Sequence, residues 1–102
     1  ARILVKTLIL YVLTFDDLPA LEAEGVRHIA FFGSRARGDF RPDSDLDILL
    51  DVDTQSKFSI YGLMRVERLT SKAVGVPANA FMRRSLDPEF MSTIKPDLVQ
   101  VF

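Results

Sequence analysis

From Asp45 to Val52 the chain alternates without a break: Leu46, Ile48, Leu50 and Val52 fall on one side, Asp45, Asp47, Leu49 and Asp51 on the other. A period of two is the signature of a β-strand, so one face goes to a core. The opposite face presents carboxylates in a row, whose mutual repulsion is unfavourable unless a cation or solvent compensates it. Val26 to Phe32, dense in Val, Ile and Phe, predicts a second buried strand that ends at Gly33 and Ser34. From Ser59 to Val74 the period becomes helical, and Arg65, Arg68 and Lys72 form a basic stripe that reads as a solvated face.

The remaining segments complete a small set of elements. Asp16 and Asp17, with Pro19 behind them, predict the start of a short helix over Leu18 to Glu24, which Gly25 closes in the left-handed conformation. Pro77 to Arg83 is expected as a third strand, Asp87 or Ser85 as the cap of a short helix through Ile94, and Leu98 to Phe102 as a closing strand or packed tail. The run from Ile3 to Leu13 is almost wholly apolar but is broken by Lys6 and Thr7, and is about half the ~20 residues of a membrane span. Thr14, Phe15, Asp16 and Asp17 follow it, where a signal peptide would need a small-residue cleavage site. The run is therefore expected as a strand or helix packed on the core or on a second subunit, which leaves a homo-oligomer open. These elements predict one α/β domain over residues 1–102, with a mixed, mostly antiparallel sheet and helices on one face.

Composition narrows the function. The 102 residues carry 13 Lys plus Arg against 14 Asp plus Glu, a net charge of −1, so the chain lacks the basic footprint of a protein that grips extended nucleic acid alone. The absence of Cys excludes disulfide scaffolds, thiolate zinc sites and cysteine nucleophiles, and fits a reducing, cytoplasmic compartment. A single His, His28, excludes a histidine-built metal site or a Ser-His-Asp triad, and reads as a packed or edge residue of its strand.

The chemistry concentrates in residues 33–47, Gly-Ser-Arg-Ala-Arg-Gly-Asp-Phe-Arg-Pro-Asp-Ser-Asp-Leu-Asp, which is Gly-Ser, a spacer of ten residues (35–44), then Asp-x-Asp. Gly33 lets the backbone turn sharply off its strand and approach a ligand, and Ser34 opens a helical turn whose amides and hydroxyl can bind phosphate. Asp45 and Asp47 sit on the same side of their strand, roughly 6–7 Å apart at Cα, a spacing that suits ligation of a hard divalent cation. A phosphate-binding Walker loop is excluded: Gly33 and Gly38 have its glycine spacing, but Asp39 and Phe40 stand where Lys and Ser or Thr are required. Arg35, Arg37 and Arg41 offer planar donor forks, of which Arg37, beside Gly38, is the best candidate for a triphosphate contact. Asp39 and Asp43 read as turn residues, and Ser44 braces the start of the Asp45 strand.

This pattern resembles the DNA polymerase β-like nucleotidyltransferase superfamily, and within it the small stand-alone minimal nucleotidyltransferases with their palm-like fold. The resemblance covers residues 26–52 in motif and the rest of the chain in general layout. It implies that Gly33 and Ser34 hold nucleotide phosphates, with Arg37 and Ser44 counted beside them, and that Asp45 and Asp47 hold Mg2+. It also implies a third carboxylate on the strand after the next helix, and there the best match is Asn79, with no Asp or Glu from Ala73 to Leu86. An amide brings no charge and takes no proton. Asp51 could stand in if geometry allows, and Asp97 is not placed by sequence.

The function implied is a Mg-dependent transfer of a nucleoside monophosphate, AMP from ATP, onto a hydroxyl. At 102 residues the chain is expected to be too short to carry the extra domains with which polymerases hold template or primer, so the acceptor is expected to be a protein or a small molecule. The resemblance further implies a helical HEPN-type partner in a toxin–antitoxin pair, in some cases modified on tyrosine. The alternative is a catalytically impaired, antitoxin-like module that binds nucleotide or partner, because of Asn79. A purely structural subunit would leave Asp45 and Asp47 unexplained.

Overall fold

The computed structural model describes residues 4–9 and 18–101. Residues 4–9 are helical (α1), followed by α2 (Leu18–Ala23), β1 (Val26–Phe32), α3 (Ser34–Arg37), β2 (Leu46–Val52), α4 (Ile60–Val74), β3 (Ala78–Met82), α5 (Pro88–Ile94) and β4 (Val99–Gln100), with short 3-10 turns at Arg83–Ser85 and Lys95–Asp97. The sheet has four strands in the order β3-β2-β1-β4. β1 pairs antiparallel with both β2 and β4, and β2 pairs parallel with β3. A parallel neighbour needs a long crossover, and α4 supplies it. The expected mixed, mostly antiparallel sheet is found.

The alternation along β2 sorts the two faces. Leu46, Ile48, Leu50 and Val52 join Val26, Ile29 and Phe31 of β1 and Ala80 of β3 in one buried cluster, closed by Ile9 of α1, Leu21 of α2 and Val66 of α4. The apolar N-terminal run is thus helical where it is described, and Ile9 is fully buried. Ile3 and residues 10–13 lie outside the described residues, as do Asp16 and Asp17, the expected helix start. Among the described residues no helix is long and apolar enough to cross a membrane.

The opposite face is only half covered. Leu49, which alternation puts on the carboxylate side, packs with Phe32 and with Ile94 of α5, while Phe32, Phe81 and Phe90 bring their rings together at centroid distances of 5.9–6.3 Å. α5 therefore seals the far end of this face, and the near end, with Asp45, Asp47 and Asn79, stays open. Of the two expected caps for α5, Asp87 serves: its carboxylate accepts from the Phe90 N–H at 2.8 Å and Pro88 opens the helix. Ser59 caps α4 through a hydrogen bond from the Tyr61 N–H at 3.3 Å, and Gly75 ends it at a φ of 83°. Glu67 of α4 reaches the sheet edge, where it accepts the outward-facing Ala80 N–H at 2.7 Å and so blunts edge strand β3.

Candidate active site

The site starts where β1 ends. Gly33 has a φ of 81° and a ψ of −159°, a conformation that side chains rarely adopt, and its carbonyl accepts from the N–H groups of Ala36 and Arg37 at 3.0 Å each, which folds α3 tightly against the strand end. The residue must also be small. A Cβ at Gly33 would stand 2.6 Å from Oδ2 of Asp47. The register explains the closeness, since Phe32, the last residue of β1, pairs with Asp47. The Gly-Ser turn and the Asp-x-Asp strand, separated by the spacer in sequence, are one surface in space.

Across β2, Asp47 pairs with Asn79 in the parallel ladder, and the Asn79 amide donates from Nδ2 to Oδ2 of Asp45 at 3.0 Å. Asp45 is exposed and Asp47 half-buried. Burial raises the Asp47 carboxyl above its ordinary range; the Asp45 charge pushes the same way, against hydrogen bonding from the Asn79 amide to Asp47 itself and the positive charge of Arg37. Two carboxylates at successive same-side positions, beside a turn that a Cβ would fill, fit a hard divalent cation with oxygen ligands. Among the described residues no group of three or more His, Cys, Asp and Glu could hold a metal. Asp51 does not extend the pair: Leu49, buried under α5, separates it from Asp47, and its carboxylate lies 3.7 Å from Nε of Arg83.

The spacer is a braced loop. Arg35 stacks its guanidinium 4.4 Å from the centre of the Phe40 ring and donates to the Ser44 carbonyl through Nε at 3.1 Å and an η nitrogen at 2.9 Å, with a further bond to Pro42 at 3.2 Å. Ser44 closes the turn, its hydroxyl accepting from the Arg41 N–H at 2.8 Å. Arg37 stands at the rim of the site, paired with Asp39 at 3.3 Å and with Asp97 at 3.2 Å. The sequence left Asp97 unplaced and offered Arg35 only as one of three donor forks beside Arg37 and Arg41. No local signal could have found Asp97, because its pairing with Arg37 joins segments sixty residues apart.

Two further expectations are settled by packing. Arg65 leaves the solvated stripe, because it pairs with Glu24 and its Nε is buried, whereas Arg68 and Lys72 are exposed. His28 is an exposed residue of β1 whose Nδ1 lies 3.1 Å from the Gln100 side chain on β4. The carboxylates lie on an open surface. A cavity of about 740 Å³, lined by Glu24, Lys57, Phe58, Tyr61, Gly62 and Arg65 among others, lies at the start of α4 and includes none of Gly33, Asp45, Asp47 or Asn79.

A strand, a glycine turn and a carboxylate pair on the next strand form one open surface, and comparison with known proteins gives the domain a family. The model of the nucleotidyltransferase domain matches residues 17–99, and the chain belongs to that family. It is 31% identical over 90 residues to a protein adenylyltransferase, MntA, of Thermococcus cleftensis, covering 88% of this chain and 89% of that one. Its fold is similar to a chain of a toxin–antitoxin complex solved with AMP-PNP, at a TM-score of 0.67 and 16% identity over 95% of this chain and 72% of that one. It is also similar to a chain of the complex between tri-AMPylated Shewanella oneidensis HEPN toxin and MNT antitoxin, at a TM-score of 0.66 and 16% identity over 100% of this chain and 72% of that one.

Proposed function

We propose that the protein binds a nucleoside triphosphate with Mg2+, ATP by preference, and transfers its nucleoside monophosphate to a hydroxyl of a protein partner or small molecule, releasing pyrophosphate. The observation that supports this reading is the closeness of the Gly33 turn to Asp47, which puts the glycine turn and the carboxylate pair on one surface. Family membership and the adenylyltransferase relative support it. In this reading Gly33 and Ser34 hold the phosphates, Asp45 and Asp47 hold Mg2+, and Arg37, held at the rim by Asp39 and Asp97, offers its remaining donors to the triphosphate. Bound Mg2+ supplies neutralisation of phosphate charge. The acceptor oxygen forms a bond to the α-phosphorus, the bond to the β-phosphate oxygen breaks, and catalysis is positioning plus charge neutralisation. The acceptor proton leaves to solvent or to a carboxylate, since the amide of Asn79 takes none.

The structural relatives solved as toxin–antitoxin complexes, one with an AMPylated HEPN toxin, make a helical HEPN-type protein the first partner to test. The experiment is incubation with Mg2+ and α-phosphate-labelled ATP, with a co-expressed candidate partner and with Asn79→Asp alongside. Label on an acceptor with the native chain supports transfer. Label only with Asn79→Asp returns the binding-module reading in its place.

A further inference from the structure

Among the described residues the site contains two carboxylates, and its third polar group is a neutral amide turned the wrong way for a cation. Nδ2 of Asn79 faces Asp45 and occupies a lone pair of its Oδ2 at 3.0 Å, so the amide contributes a donor where a cation would need an acceptor. Neighbouring carboxylates are committed elsewhere: Asp39 and Asp97 pair with Arg37, and Asp51 lies beyond buried Leu49 near Arg83. Two divalent ions held about 3.5–4 Å apart, as in two-metal sites, repel four times as strongly as two unit charges, and only surrounding negative charge offsets that repulsion. Among the described residues the site supplies Asp45 and Asp47 alone.

We infer that the protein holds a single divalent cation when nucleotide is bound, and that Asn79, in orienting Asp45, stands where a second cation would require a carboxylate. The inference rests on the nucleotide-binding reading above. It makes Asn79 a positioning residue and leaves the acceptor hydroxyl without a metal of its own.

The test counts ions and needs no turnover. Mn2+ is titrated into the protein saturated with a non-hydrolysable ATP analogue, and bound ions are counted by electron paramagnetic resonance. The expected result is one Mn2+ per chain with the spectrum of an isolated ion in the native protein and in Asn79→Ala, and two, magnetically coupled, in Asn79→Asp. Two coupled ions in the native protein overturn the inference, as does a single ion in a folded Asn79→Asp. The native protein and Asn79→Ala decide the count by themselves should the added charge unfold Asn79→Asp. No nucleotide-dependent Mn2+ binding in the native protein overturns the nucleotide-binding reading and this inference with it.

Discussion

Gly33 and Asp47 are packed so closely that a Cβ on the glycine would lie 2.6 Å from a carboxylate oxygen of the aspartate. The backbone at Gly33, with a φ of 81°, is unfavourable for any other residue independently of that contact. Gly33→Ala is therefore expected to cost about 1–3 kcal/mol in stability and to displace the Asp47 carboxylate. Thermal unfolding should show a clearly lower Tm, and titration with an ATP analogue and Mg2+ should show lost affinity. A variant with native Tm and native affinity would contradict the packing.

Asp47→Asn separates stability from function. Burial works against the Asp47 charge, so removing the charge should raise the Tm of the metal-free protein by a few degrees. Mg-dependent nucleotide binding should weaken at least tenfold, ~1.4 kcal/mol or more. Asp45→Asn should weaken binding similarly but leave Tm nearly unchanged, because Asp45 is exposed. Nucleotide titrations unchanged in both variants would remove the cation assignment.

The pH dependence has a defined sign. The folded-state value of Asp47 is raised above its ordinary 3.8, so between those two values the folded protein holds more protons than the unfolded chain. Its contribution to stability falls as pH rises through that window and is constant above it. Asp53 acts oppositely: the Gln55 N–H first, then Arg27, hold its carboxyl below the ordinary value, and the stability it provides is lost as pH falls toward that lowered value. Subtracting the denaturation free energies of Asp47→Asn from those of the native protein across mildly acidic pH should isolate the falling slope. Cation binding, which needs the Asp47 carboxylate, should strengthen with pH through the same window.

Arg35 is the brace of the loop that delivers Asp45. Its stacking on Phe40 and its bonds to the Ser44 carbonyl should make Arg35→Ala cost ~1–2 kcal/mol. Nucleotide affinity should fall several-fold through loss of order in residues 38–45. Arg35→Lys should rescue little, because an ammonium cannot both stack and present a planar fork. Full rescue by lysine in denaturation and binding assays would show that charge alone matters there.

Much was legible in sequence because it is local. The alternation of β2, the apolar run of β1, the helical period of α4 and the cap at Asp87 are short-range patterns, each answering to backbone geometry within a few residues. The Gly-Ser and Asp-x-Asp elements were readable for the same reason, since each needs only its own turn or strand. The carboxylate row of β2 was only half readable. Alternation put Leu49 beside the aspartates, but nothing local indicated that α5 would cover it and split Asp51 from Asp47.

The sequence by itself determined the two strands, the turn between them, the carboxylate pair and the amide at position 79. Tertiary structure decided that Asn79 pairs with Asp47 and donates to Asp45, that Arg37 meets Asp97 and that Arg65 pairs with Glu24. The physical reason is that register, burial and ion pairing depend on which segments the sheet and α4 bring within a few ångströms of each other, a property of the assembled chain that no window of its sequence contains.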